Sequence, residues 1–330
     1  MGHVTRPRTT RKVIRTRDLL MAMAFTLAIL TVFATTAEAQ PACQRCLNGF
    51  RFIPSSAIAD PFAATSFNNA IGGGSAVNFT VPIRRLNGDT LRSIEGNIGF
   101  LLVDIEYQKS ITSWLALRVS GGGIGRLGTS IPSLVATGVS AAFGTAFGAT
   151  VPVFKRPDLL VSAVADFRSN TQYDVDPFGF GEEVADSAYD PEADSGALLR
   201  SYPVTRWSLG VRAAWGIAPW VGLSGELEPG GARVNSDNKS LTTYGALVGF
   251  DFAKRNAVPI GLTLGYRGQS GSGKTGNIAG GYQTVQVGAY YTGRPNFQIG
   301  SDFFFSRIAV ASGGPDLDGI QFRLVTRIDF

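Results

Sequence analysis

Apolar and polar side chains alternate through most of this chain, and most strictly at its end. Between Gly319 and Phe330, the even positions carry Ile320, Phe322, Leu324, Thr326, Ile328 and Phe330. The odd positions carry Gln321, Arg323, Val325, Arg327 and Asp329. Successive side chains of a strand point to opposite faces, so the stretch predicts a strand with one greasy and one charged face. The same period gives earlier rows at Val77/Phe79/Val81/Ile83, Leu101/Val103/Ile105/Tyr107 and Leu115/Leu117/Val119. Further rows start at Val139, Leu159, Trp207, Val221, Tyr244, Ile260, Val285 and Phe297. With the closing strand they predict twelve strands over residues 75–330. Residues 40–74 show no sustained period and read as an irregular segment, with Gly72-Gly73-Gly74 as a bend into the first strand.

The connections form a second pattern. Short links are expected at 109–113, 155–158, 216–219, 254–259 and 292–296, and four of the five contain proline. Longer ones are expected at 86–96, 127–137, 169–203, 229–239, 269–279 and 311–318, so short and long alternate. Aromatic residues gather beside the short links: Tyr107, Trp114, Phe154, Trp215, Trp220, Phe252, Tyr291, Phe297 and Phe330.

Residues 1–39 read as an export signal. Six basic residues from Arg6 to Arg17 precede a mostly apolar run from Leu19 to Phe33, and Ala37-Glu38-Ala39 gives a small-x-small cleavage site. The whole chain has 30 Lys+Arg and 25 Asp+Glu; without the six basic and two acidic residues of the signal the balance is 24 to 23. The basic character therefore belongs largely to the signal, and no nucleic-acid partner is expected.

An export signal, alternating strands and a terminal aromatic residue together resemble bacterial outer-membrane β-barrel proteins. The resemblance implies an all-β fold, a transmembrane antiparallel β-barrel of about twelve strands, with apolar side chains facing lipid and charged ones facing the lumen. It also implies outer-membrane lipid and the barrel-assembly machinery as partners, with Phe330 as the assembly signal, and both mature termini in the periplasm. Residues 40–74 would form a periplasmic segment, a possible lumen plug. In an oxidising compartment Cys43 and Cys46 favour a local disulfide; a redox C-x-x-C would normally sit in a βαβ context, which is missing.

Chemistry is sparse. The only histidine is His3, inside the signal, which leaves no Ser-His-Asp, Cys-His or His-metal set in the mature chain. No enzymatic activity, metal or cofactor is expected. Gly268-Gln269-Ser270-Gly271-Ser272-Gly273-Lys274-Thr275 matches a P-loop in letters, but another strand follows instead of a helix, so no nucleotide is expected. The acidic stretch 174–194 fails the EF-hand spacing, because Ala185 stands where a glutamate belongs.

Parity assigns fourteen charges to the inner face: Asp104, Glu106, Arg118, Asp166, Arg168, Arg212, Glu226, Glu228, Asp251, Arg267, Asp302, Arg323, Arg327 and Asp329. Eight are acidic and six basic. Buried charges must be paired or wet, so the mixed set permits either a salt-bridged plug or a narrow hydrated passage. The function expected is a channel or facilitated-diffusion transporter for small solutes, the alternative being a non-conducting structural or surface-interaction barrel.

Overall fold

The computed structural model describes residues 43–84, 90–128, 139–175, 199–234, 237–256, 258–272, 281–308 and 317–330. The export segment 1–39, nearly all of the acidic stretch 174–194, and Gly273 to Thr275 of the P-loop-like run lie outside these residues.

A small hairpin opens the described chain: β1 (Cys46–Leu47) and β2 (Phe50–Arg51). Asn48 and Gly49 join them with φ of 49° and 76°, the paired positive φ values of a tight two-residue hairpin turn. Twelve long strands follow: β3 (Ser66–Arg84), β4 (Thr90–Thr112), β5 (Leu115–Gly128), β6 (Val139–Lys155), β7 (Leu159–Val175) and β8 (Leu199–Ala218). Then come β9 (Val221–Val234), β10 (Asp237–Asp251), β11 (Ile260–Ser272), β12 (Tyr282–Arg294), β13 (Phe297–Ile308) and β14 (Leu317–Asp329). Each pairs antiparallel with its sequence neighbours, and β14 closes on β3 from Asp318↔Val77 to Asp329↔Ser66. The result is a closed twelve-stranded barrel, which has no free edge.

The faces follow the parity of the sequence. On β14, Leu324 is 48% exposed and Val325 only 4%. The outer wall is a continuous apolar surface that includes Leu101, Val103, Phe143, Phe147, Leu209, Leu264, Val287 and Phe303. Trp114, Phe154, Trp215, Tyr291 and Phe330 stand exposed near the short-turn end, and Trp220 stacks on Phe250 at 6.3 Å. At about 3.3 Å per residue, every barrel strand exceeds the nine to eleven residues that cross a bilayer.

Three expectations are corrected. The first strand starts at Ser66 and not near residue 75, because Gly72-Gly73-Gly74 is no bend. It lies inside β3, paired with both β14 and β4. A side chain at Gly72 or Gly74 would run into the carbonyls of Phe322 and Ile320, so these glycines serve close approach at the closing seam. The link expected at 229–239 is not long either: β9 runs to Val234 and β10 starts at Asp237. Pro229, Gly230 and Gly231 are paired strand residues, and Gly231 lies under the Trp207 ring. Nor is the link expected at 86–96 long, since β4 starts at Thr90 and Arg92 to Gly96 pair with β3, so the alternation of short and long connections breaks at both hairpins.

Candidate functional site

Residues 43–65 lie inside the barrel at the short-turn end. Cys43 and Cys46 are disulfide-bonded, with Cα atoms 5.5 Å apart. Asn48 anchors the hairpin to two turns. Its N–H donates to the Pro157 carbonyl at 2.7 Å and its side-chain amide to the Gly216 carbonyl at 3.1 Å. Arg51 donates to the carbonyls of Thr292, at 2.6 Å, and Arg294. At the far end of the segment the Thr65 carbonyl accepts from the Phe330 N–H at 3.1 Å.

Apolar packing holds the segment between those anchors. Leu47, Phe50, Phe52, Phe62 and Ala64 form one buried cluster with Leu160 and Ala214 of the wall. Ile53 packs with Ala70, Tyr290 and Val325, while Ala57 and Ile58 pack with Leu247 and Phe304. The wall is hollowed to receive them. Gly222 and Gly249 are direct cross-strand partners, and a side chain on either would meet the Phe50 ring. Gly216 faces Leu47, Gly245 faces Ile58 and Gly261 faces Ile53 in the same way. Each of these glycines stands on the inner face, so the socket and the segment are matched in shape.

Above the segment runs a belt of ion pairs. Arg45 pairs with Asp60 and, at 3.1 Å, with Asp329; Arg327 also reaches Asp60, at 2.8 Å. Asn68 accepts from Arg327 and donates to Glu106 at 2.9 Å. Glu106 pairs with Arg118 at 3.3 Å, and Arg118 with Asp166. Asp166 meets Arg212 at 2.5 Å, and Arg212 meets Glu228 at 2.7 Å. The Arg118–Asp166 pair passes from β5 to β7 over β6. It can do so because the residue between them in the ladder is Gly148, where a side chain would strike both groups. Burial pulls the Arg45 guanidinium down to about 9, with Arg327 adding to the effect and Asp329 and Glu106 opposing it. It stays charged at neutral pH.

The remaining inward carboxylates tie wall to segment. Glu226 pairs with Arg267 at 2.7 Å and accepts from the Ala59 N–H at 3.1 Å. Asp302, fully buried, accepts from the Ser56 N–H, the Ser56 hydroxyl and the Tyr290 hydroxyl at 3.2, 2.8 and 2.5 Å. Asp251 accepts from Thr292 and from the N–H of Ala253, in the helical turn Ala253–Asn256.

Residues 54–60 form the floor of a cavity of about 770 Å³, lined by inward residues on the side of the barrel away from the short turns. Asp104, Glu106, Arg118, Asp166, Arg168, Arg212, Glu228, Arg267, Arg323 and Arg327 line it, whereas Glu226, Asp251, Asp302 and Asp329 lie outside that lining. Four participants were not found by parity. Arg45 and Asp60 belong to the aperiodic segment. Arg126 and Arg206 fall just outside the apolar rows, between Val119 and the link 127–137 and between the link 169–203 and Trp207, but lie in β5 and β8, and both line the cavity. The signals available were Asn48-Gly49, a strong hairpin dipeptide, and the parity of Arg206 with Ser208 and Arg212. In the P-loop-like run, Gly268 to Ser272 are extended residues of β11, paired with Tyr244 to Ser240 of β10.

No protein-family model matches this sequence, and no curated protein matches it. Among solved structures the chain is similar to the translocator domain of the autotransporter NalP from Neisseria meningitidis. That match has a TM-score of 0.46 and 8% identity, over 95% of this chain and 98% of that one. The transport unit of the autotransporter AIDA-I from Escherichia coli matches with a TM-score of 0.49 and 8% identity, over 86% and 95% of the two chains. The NanC porin matches with a TM-score of 0.47 and 8% identity, over 81% and 100%.

Proposed function

We propose that this chain is an integral outer-membrane barrel that passes small solutes through a narrow lumen of mixed charge, and that residues 43–65 close the lumen in the conformation described. The observation that carries the reading is the cavity itself, a polar space of about 770 Å³ whose floor is the inserted segment and not the wall. Its size suits a small solute. The exposed apolar outer wall, with aromatic residues near the short-turn end, supports a lipid environment. On this reading the leader 1–39 is cleaved, both mature termini lie in the periplasm, and Phe330 is read by the barrel-assembly machinery.

The second reading is a non-conducting structural barrel. It is favoured by the tight seating of Phe50, Ile53 and Ile58 in glycine notches, which makes the closed form stable. Swelling of liposomes in a small sugar separates the two. The channel reading expects protein lacking residues 43–65 to admit a pentose faster than protein-free liposomes do. Swelling at the protein-free rate would leave the structural barrel.

A further inference from the structure

Most lumen arginines described so far have a carboxylate partner. Arg45, Arg118, Arg212, Arg267 and Arg327 each lie within 3.3 Å of one, and Arg323 reaches Asp104 at 3.8 Å. Arg168 and Arg206 are different. They are direct partners across the β7–β8 ladder, and both line the cavity. Like charges placed opposite each other in a ladder repel, and a carboxylate on either strand would relieve it. Among the described residues neither forms an ion pair, and the buried Nε of Arg206 has no hydrogen-bond partner. Arg267 adds a third positive charge acting on Arg206, and it repels Arg323 as well. Tyr282 and Gln269 supply a hydroxyl and an amide to the same cavity.

We infer that Arg168 and Arg206 form a binding site in the cavity, with Glu226-paired Arg267 on the same lining, for a small oxyanion carrying two or more negative charges, a phosphate or a polycarboxylate. A guanidinium presents a planar fork of N–H donors that matches the two oxygens of such a group. Two forks side by side with no acidic partner among the described residues are costly when empty and favourable when an anion bridges them. Arg168 is exposed and lines the cavity. Among the described lining residues, the belt of ion pairs beneath, from Asp329 to Glu228, leaves a positive excess above it. The inference deepens the channel reading, since it names the solute class of the same lumen and to that extent rests on it. Binding can nevertheless be measured without any current.

The experiment uses the whole chain refolded in detergent, titrated calorimetrically with inorganic phosphate and separately with citrate, with chloride as the unforked control. Saturable binding of at least one oxyanion is expected, weakening as salt rises. Arg168→Gln and Arg206→Gln should each weaken it about tenfold, the effect of losing one charge-assisted hydrogen-bonding group. Arg206→Lys keeps the charge but loses the fork, and should fall between wild type and Arg206→Gln. Arg255→Gln, which removes an exposed guanidinium seated over the Trp220 ring at 4.6 Å, should bind as wild type does. Phosphate alone or citrate alone would identify the class. No saturable binding by wild type, affinity equal to that for chloride, or equal affinity in Arg206→Lys and Arg206→Gln together with wild type would each overturn the site. Solute passage without binding would overturn the site and leave the channel. Binding without passage would leave the site and remove the channel.

Discussion

Phe50→Ala tests whether the inserted segment is held by its fit to the wall. Phe50 is 1% exposed, sits in the notch made by Gly222 and Gly249, and meets Phe52 edge-on at 4.9 Å between ring centroids. Truncating a buried phenylalanine to alanine costs roughly 3–5 kcal/mol, since the lost burial adds to an unfilled cavity. Phe52 and Ile53, the other side chains at the notch, belong to the same segment, so that cost falls on docking of the segment, and the docked-to-undocked ratio should drop by about a hundredfold or more. Native-state hydrogen exchange reads this directly. Amides such as Asn48, bonded to Pro157, and Phe52, bonded to Arg45, should exchange faster by about that factor while β3 to β14 keep their protection. Gly222→Leu fills the notch from the wall side and should loosen the same amides without altering the segment. Unchanged exchange over residues 43–65 in both variants would refute the reasoning.

The remaining predictions address the wall. Leu264→Arg, on the exposed outer face, should destabilise the barrel by about 2–4 kcal/mol in a refolding titration into lipid vesicles, whereas Ser120→Arg, inward and opposite Glu106, should cost far less. Equal costs would contradict the assignment of faces. Gly148→Val should displace the Arg118–Asp166 pair and cost about 2–3 kcal/mol, below the full penalty of a broken buried pair because both groups keep some contact with solvent. A variant with wild-type unfolding midpoint would show that the pair can reroute. Phe330→Asp should lower the yield of membrane-inserted protein in cells; an unchanged yield would remove the role proposed for that residue.

The wall of the barrel was legible because its physics is local. A strand with lipid-like surroundings on one side and a polar lumen on the other must alternate, and parity alone separates Leu324 from Val325. Glycine defeated the reading twice. Gly72 to Gly74 and Pro229 to Gly231 look like bends and loops in the sequence, but here they are paired strand residues whose glycines permit close approach between neighbouring strands, which only the partner strand reveals. The segment 43–65 was illegible for a different reason. Its contacts are with wall residues far away in sequence, so its apolar residues obey no period; Phe50, Ile53 and Ile58 are spaced by where the notches fall. Arg206 was lost because the apolar row begins at Trp207, whereas β8 begins at Leu199 and carries Arg206 inward one residue before that row. Its pairing with Arg168 depends on register, which alternation does not fix.

The central proposal is that residues 43–65 close the lumen at the short-turn end. Single-channel recording on the chain with and without those residues, in the same planar bilayer and salt, tests it most directly. The account predicts little or no steady current from the intact chain and a steady ohmic conductance once the segment is removed, with the barrel still folded. Indistinguishable current traces from the two folded proteins would contradict it.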